Sequence, residues 1–228
     1  MISVIMSAYN DENNVKLAIE SIQNQSYQDF EFLIMDDFSS DNTFEICKNY
    51  SNEDDRITVY QNNSNLGLTK SLNKLLESAK GDYIARQDSD DISLSERFSK
   101  QIKFISENKL DGSTTRAIVK NSLKVTPNKS FYFPKKLIMK IKNPFIHGSL
   151  ILSKNSLEDI GGYDEKFYYA QDYKLLSDLL SKDFKLKILK EEQYILNLSD
   201  NISTKFKDKQ KYYANCVKKG INPIEKIK

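Results

Sequence analysis

The sequence predicts an α/β fold, a mostly parallel β-sheet covered by helices on both faces. Two observations carry this expectation. Four short β-rich runs alternate with helical patterns through the first half of the chain, and three of those runs stop at polar or acidic clusters, Tyr9 and Asn10, Asp36 and Asp37, and Asp88 to Asp91. In open sheets of this kind ligands bind beyond the carboxyl ends of the strands, so the three clusters are predicted to line one edge.

The elements follow in order. Residues 2–6 form the first expected strand, and from Val15 the spacing of Val15, Ala18, Ile19 and Ile22 puts them on one helical face. A second strand is expected at 30–35. Ser39, Ser40, Asp41 and Asn42 then offer caps for a helix running to about Tyr50. A third strand at 57–60, a turn-rich loop at 62–67 and a helix through Leu68, Leu72, Leu75, Leu76 and Ala79 lead to a fourth strand at 83–85. Phe98, Ile102 and Ile105 continue a helix expected to start near Ser93, after which 107–129 has no period and reads as an irregular, mobile connection. Residues 135–142 set Leu137, Ile138, Met139 and Ile141 among four lysines, a short amphipathic segment that either packs or meets an acidic surface. A strand is expected at 145–152, a turn at 161–164, a helix opening at 168–173 with Leu175, Leu176, Leu179 and Leu180 on its apolar face, and closing strands at 184–189 and 193–198. The lysine-rich tail from Lys205 suits a solvated helix or weak attraction to an anionic membrane.

Composition narrows the class. With 228 residues, 39% of them hydrophobic, the chain can bury a sizeable core. Its net charge of +2 argues against nucleic acid as the main partner, which calls for a dense basic surface. No run approaches the roughly 18–20 apolar residues of a membrane span and no signal-peptide pattern opens the chain, so the expected compartment is the cytoplasm. Cys47 and Cys216 form neither a disulfide framework nor a zinc pattern.

The acidic cluster is the sharpest local signal. Asp88, Asp90 and Asp91 occupy four consecutive positions with Ser89, and two unit charges about 4 Å apart repel by roughly 1 kcal/mol in water and about 4 at an effective dielectric near 20. A divalent cation with a phosphate reverses the sign. Hard oxygens suit Mg or Mn, and Mg takes one or two carboxylates and fills its shell with water and phosphate. The competing explanation is an acidic cap on the helix near Ser93. A calcium EF-hand does not fit, since counting from Asp88 the sixth position is Ser93 and the twelfth Ser99.

Taken in order, Ser3-Val4-Ile5-Met6-Ser7-Ala8-Tyr9-Asn10, Met35-Asp36-Asp37-Phe38-Ser39-Ser40-Asp41-Asn42-Thr43, Asn65-Leu66-Gly67-Leu68 and Asp88-Ser89-Asp90-Asp91 resemble the motifs of bacterial family 2 glycosyltransferases. The later stretches Asn143-Pro144-Phe145-Ile146-His147 and Gly161-Gly162-Tyr163-Asp164 through Gln171-Asp172-Tyr173 resemble that family's acceptor half, so the likeness covers roughly residues 2–204. It implies a GT-A fold, with a nucleotide-sugar-binding half at 1–106, an acceptor-binding and catalytic-base half at 107–204, and a basic tail at 205–228. By position, Ala8, Tyr9, Asn10 and Asp37 match the residues that hold base and ribose. Asp88 and Asp90 match the DXD motif, the first near the ribose and the second on Mn or Mg. Asp172 matches the general base. Lys70 and Arg86 are added as phosphate partners on charge and nearness to the strand ends alone.

The implied reaction is inverting transfer from a nucleotide sugar, most simply a UDP-sugar, to a glycan or lipid-linked saccharide in bacterial surface polysaccharide, capsule or lipopolysaccharide synthesis, with peripheral contact at the inner face of the plasma membrane. The alternative is a non-catalytic nucleotide-sugar or glycan-binding scaffold subunit. A sugar nucleotidyltransferase needs a glycine-rich loop after the first strand, and Ser7 to Asn10 has no glycine. Ser7 and Phe38 depart from the family's usual proline and glycine. Near 194–203, where relatives often carry arginine or histidine, stand Asn197, Ser199 and Asn201. His147, the chain's one histidine, reads equally as a structural residue or a neighbour of substrate.

Overall fold

A computed structural model describes residues 1–199 and 206–224. Strands β1 (Ile2–Ala8), β2 (Phe30–Asp36), β3 (Ile57–Gln61) and β4 (Tyr83–Arg86) alternate with helices α1 (Val15–Gln23), α2 (Thr43–Glu53) and α3 (Leu68–Ser78). These strands pair in parallel in the order β3-β2-β1-β4. Strand order reverses at β1, the switch point outside which such sheets bind ligands. Alternate side chains enter two cores. Ile5, Leu33 and Met35 pack with Leu72 and Leu75 of α3, while Val4, Met6, Phe32 and Ile34 pack with Val15, Ala18, Ile19 and Ile22 of α1. Burial on both faces is why these strands read as nearly continuous apolar runs.

The second half extends the same sheet. Beyond β4 come β8 (Ile151–Ser153), β6 (Gly112–Val119), β9 (Leu186–Leu196) and β5 (Ile92–Ser93), with β7 (Val125–Thr126) paired to β6. Helices α4 (Arg97–Asn108), α5 (Lys135–Ile138), α6 (Lys154–Asp159), α7 (Gln171–Ser181) and α8 (Lys207–Lys219) complete the chain.

Four expectations are corrected here. Much of the stretch read as an irregular connection is β6, an interior strand between β8 and β9. Its start, Gly112-Ser113-Thr114-Thr115, has turn-like composition yet is wholly buried. Ser113 and Thr115 find partners internally: Gln101 Nε2 of α4 donates to Ser113 O, Ser113 Oγ and Ser149 O, each at 3.0 Å, and Thr115 N donates to Ser149 Oγ at 3.0 Å, while the Thr114 hydroxyl is buried without one among the described residues. The helix expected near Ser93 begins at Arg97, because Ile92 and Ser93 pair with Ile195 and Tyr194 of β9. The strand expected at 145–152 is a 3₁₀ turn at His147–Ser149 followed by the short β8. The two closing strands are one, β9, whose register against β6 shifts between Thr115 and Ala117. At the C-terminus α8 buries Tyr213, Cys216 and Val217 in the core shared with α7. Asn201, Lys205 and the expected boundary at 204/205 lie outside the described residues.

Candidate active site

The parallel pairing of β1, β2 and β4 brings their carboxyl ends to one edge. After β1, Ala8 is buried and its carbonyl accepts from Asp37 N at 2.9 Å, while Tyr9 stands half exposed. Asn10 adopts a left-handed backbone (φ 49°) and is tied to the neighbouring loop, its N donating to Ser39 Oγ at 2.9 Å and its Oδ1 accepting from Ser40 N at 2.8 Å. Asp37 is 2% exposed and fully engaged: Oδ1 accepts from Leu66 N and Asn62 Nδ2, and Oδ2 from Gly67 N, all at 2.8 Å. It fixes the 62–67 loop. Gly67 (φ 86°) lies under the Tyr168 ring, where an added Cβ would sit 2.6 Å from a ring carbon. Lys70, half buried in the first turn of α3, has no hydrogen bond or ion pair among the described residues.

The loop after β4 is different in kind. Because α4 starts at Arg97, none of its acids caps a helix, and the capping explanation falls away. Arg86, read from sequence as a phosphate partner, is instead 1% exposed and turned inward. Its Nη1 donates to the Ile5 and Gln87 carbonyls and its Nη2 to Asp88 Oδ1 at 2.6 Å. Asp91 is also buried, held by Asn197 N at 2.6 Å and by Tyr194. Burial, with Asp88 and Asp90 beside it, raises its carboxyl well above the usual range. Asp90 receives no side-chain donor, and burial, Asp88 and Asp11 push it up to about 7. Among the described residues no three His, Cys, Asp or Glu side chains form a metal cage. Asp90 and the Asp88 oxygen that Arg86 does not hold nonetheless fit a cation that takes one or two carboxylates and completes its shell with water and phosphate.

Sequence reasoning missed the scaffold of this loop. Arg97 is buried on α4, its Nη1 bonding Arg86 O and Gly148 O at 3.0 Å and its guanidinium lying 4.7 Å from the Phe98 ring and 5.5 Å from that of Tyr194. Burial lowers it to about 10, so it stays charged at neutral pH. A Cβ on Gly148 would fall 2.3 Å from Tyr194 Oη and 2.6 Å from Asp88 Oδ2, so only glycine lets the 3₁₀ turn approach the acids. The available signal was Arg97 and Gln101, four residues apart on the face of α4 that also carries Phe98 and Ile105.

Asp172 lies in the first turn of α7. Asn143 Nδ2 donates to its Oδ2 at 2.8 Å, and Oδ1 has no donor among the described residues. His147 Nε2 pairs with Tyr163 Oη at 2.8 Å, and burial, then Arg86, pushes the imidazole down to about 4, so it is neutral at pH 7. The charges of Arg86, Asp88 and Asp172 all act on this His147–Tyr163 pair, which therefore lies near both the acidic loop and Asp172. Asn73 of α3 clasps the Tyr163 backbone in both directions at 2.9 Å, and Thr69 Oγ1 bonds Phe167 O at 3.2 Å. Beside Asn143 opens a cavity of about 410 Å³ lined by Pro127, Asn128, Lys129, Lys142 and Ile146.

A switch-point sheet with an acidic loop after the fourth strand and a carboxylate on a facing helix is the GT-A arrangement, and residues 3–161 match the model of glycosyl transferase family 2. The chain belongs to that family. It is 32% identical over 231 residues to an uncharacterized glycosyltransferase, MJ1057, of Methanocaldococcus jannaschii, covering 94% of this chain and 77% of the relative. It is 28% identical over 233 residues to WfgD of Escherichia coli, named a UDP-Glc:alpha-D-GlcNAc-diphosphoundecaprenol beta-1,3-glucosyltransferase, covering 100% and 89%. The matches to two further relatives cover 71% and 48% of this chain and 59% and 44% of the relatives. In fold it resembles residues 1–349 of S. aureus TarS in complex with UDP, with a TM-score of 0.76 at 23% identity over 98% of this chain and 67% of TarS 1–349.

Proposed function

We propose that this protein is an inverting, metal-dependent glycosyltransferase that moves a sugar from a UDP-sugar to a hydroxyl of a glycan or lipid-linked saccharide in bacterial surface polysaccharide synthesis, working on the cytoplasmic side. The observation that carries the reading is the pairing of two unlike carboxylate sites. Asp88 and Asp90 hold charge that no protein cation fully offsets, while Asp172 has one oxygen oriented by Asn143 and the other open. The names of relatives that use UDP-glucose, and the UDP in the TarS complex, support a uridine nucleotide.

In this reading the mouth formed by Tyr9, Asn10 and the loop that Asp37 pins receives the nucleoside, and Lys70, which makes no ion pair among the described residues, meets its phosphates. When bound at Asp88 and Asp90, Mn or Mg supplies the positive charge that makes the diphosphate a less basic leaving group. Asp172 accepts the proton of the acceptor hydroxyl as its oxygen bonds to the anomeric carbon. The bond from that carbon to the diphosphate oxygen breaks, and its electron pair leaves with UDP. Attack from the face opposite the diphosphate turns an α-linked donor into a β-linked product.

Calorimetric titration of UDP tests the donor half. Binding is expected with Mn, and is expected to be lost in EDTA and in Asp90→Ala; absence of nucleotide binding in every condition overturns the proposal. Asp172→Asn should keep UDP affinity and lose transfer by on the order of 10²–10⁴-fold, the usual contribution of a general base.

A further inference from the structure

Charge is segregated along this chain. Residues 112–157 carry nine Lys and Arg and no Asp or Glu, although the whole sequence has 34 basic and 32 acidic residues. Inside that stretch, residues 129–142 also turn apolar side chains outward: Tyr132 is 73% exposed, Phe133 56%, Leu137 60% and Ile141 65%. Met139 N donates to Lys135 O and Lys142 N to Ile138 O, so the backbone is helical there and Leu137 and Ile141 share a face one turn apart. Lys129, Lys140 and Lys142 are exposed and make no ion pair among the described residues; Lys136 pairs with Asp183.

The segment is firmly mounted. Met139 is buried, its carbonyl accepts from Tyr173 Oη of α7, and four residues on Asn143 bonds Asp172. The other lysine-rich candidate, α8, carries Asp208 in its first turn and spends its apolar face, Tyr213, Cys216 and Val217, on the core.

We propose that residues 129–142 are a membrane-docking surface, with Tyr132, Phe133, Leu137 and Ile141 at the headgroup level of an anionic bilayer and Lys129, Lys140 and Lys142 against its phosphates. Apolar side chains rimmed by lysines, with no acid in the surrounding stretch, complement anionic lipid in both hydrophobicity and charge. The surface argument stands without the transferase reading. Where that reading also holds, a saccharide carried on a lipid meets Asp172 through the cavity lined by 126–130 and 142–146, without leaving the membrane plane.

The test is co-sedimentation of the full chain with vesicles of phosphatidylcholine, with and without phosphatidylglycerol, at low and high salt. The protein is expected to pellet with the anionic vesicles and to be released by salt. Lys140→Gln with Lys142→Gln should lower partitioning by on the order of 10-fold or more, at about fivefold per lysine. Leu137→Ser with Ile141→Ser should weaken it comparably, and Lys218→Gln with Lys219→Gln on α8 should leave it unchanged. The proposal is overturned by no binding to anionic vesicles at low salt, by an equal loss in the α8 variant, or by binding that survives both patch variants. A dimer in sedimentation velocity that Leu137→Ser with Ile141→Ser dissolves would assign the face to a second copy instead, and also sinks it. UDP titration of the patch variants should match the parent protein, so failure of docking and failure of the transferase reading are separately visible.

Discussion

The loops after β2 and β4 begin as near twins, each leaving a parallel strand at the same edge with two or more aspartates in hand. After β2 the donors are supplied from within. Asp36 Oδ2 takes Ser39 N at 3.0 Å and Gln61 Nε2 at 3.1 Å, Asp37 takes two backbone amides and an Asn62 amide, and Asp41 takes Thr43 and the Glu12 N–H. After β4 one guanidinium reaches Asp88, one backbone amide and Tyr194 reach Asp91, and Asp90 is left with its neighbours' repulsion. An acid at a strand end is thus no evidence of a ligand by itself. The count of donors aimed at it separates an acid that holds the chain from one whose charge the fold leaves unmet, which is the acid the proposed function gives a cation.

Three measurements break or sharpen that contrast. The largest effect is expected for Asp37→Ala, which strands two backbone N–H groups and the Asn62 amide; unmet buried groups cost about 1–3 kcal/mol each, so urea unfolding should show a loss of about 3–5 kcal/mol. A loss below about 1 kcal/mol would erase the distinction between the loops. Next is the acid limb of stability. Asp54, at the C-cap of α2, is bonded by Arg56 Nε at 2.9 Å and Nη2 at 2.7 Å, and the guanidinium holds its carboxyl well below the usual range. A depressed folded pKa contributes stability in full above the unfolded value near 4 and loses it as pH falls further, so Arg56→Gln should flatten the unfolding midpoint below pH 4, a change of about 1–2 kcal/mol. The smallest effect has the opposite sign. Asp90→Asn removes a like charge beside Asp88 and should raise stability in EDTA at pH 7 by about 1 kcal/mol. A clear destabilisation would make Asp90 another satisfied acid.

The same accounting explains what the sequence made legible. Strands β1 and β2 could be read because both their faces are buried, while the edge strand β3 exposes most of its residues and shows only as a short β-rich run; the carboxyl-end clusters could be read because parallel strands necessarily deliver them to one edge. β6 could not, because Ser113, Thr114 and Thr115 look like turn residues until Gln101 and Ser149 are seen to supply partners to Ser113 and Thr115. The residues of the acidic motif were visible; their division of labour was not. Nothing local distinguishes the inward Arg86 or the tethered Asp91 from the open Asp90, since Tyr194, Asn197 and Gly148, which fix those roles, are 57 or more positions away. Asp172 was singled out by motif order, but Asn143, which sets its orientation, came in only as one letter of a neighbouring stretch.

The clasp of Asn73 on Tyr163, with Thr69 on Phe167, bears on how such proteins are re-engineered. By its bonds α3 belongs to the segment that leads into Asp172, although in sequence it lies wholly within the first half. A chimera that swaps in a foreign second half after residue 106 would leave Thr69 and Asn73 facing whatever backbone the graft presents. The transplant that travels best takes residues 68–78 with it, so that the helix and the segment it grips arrive as one piece.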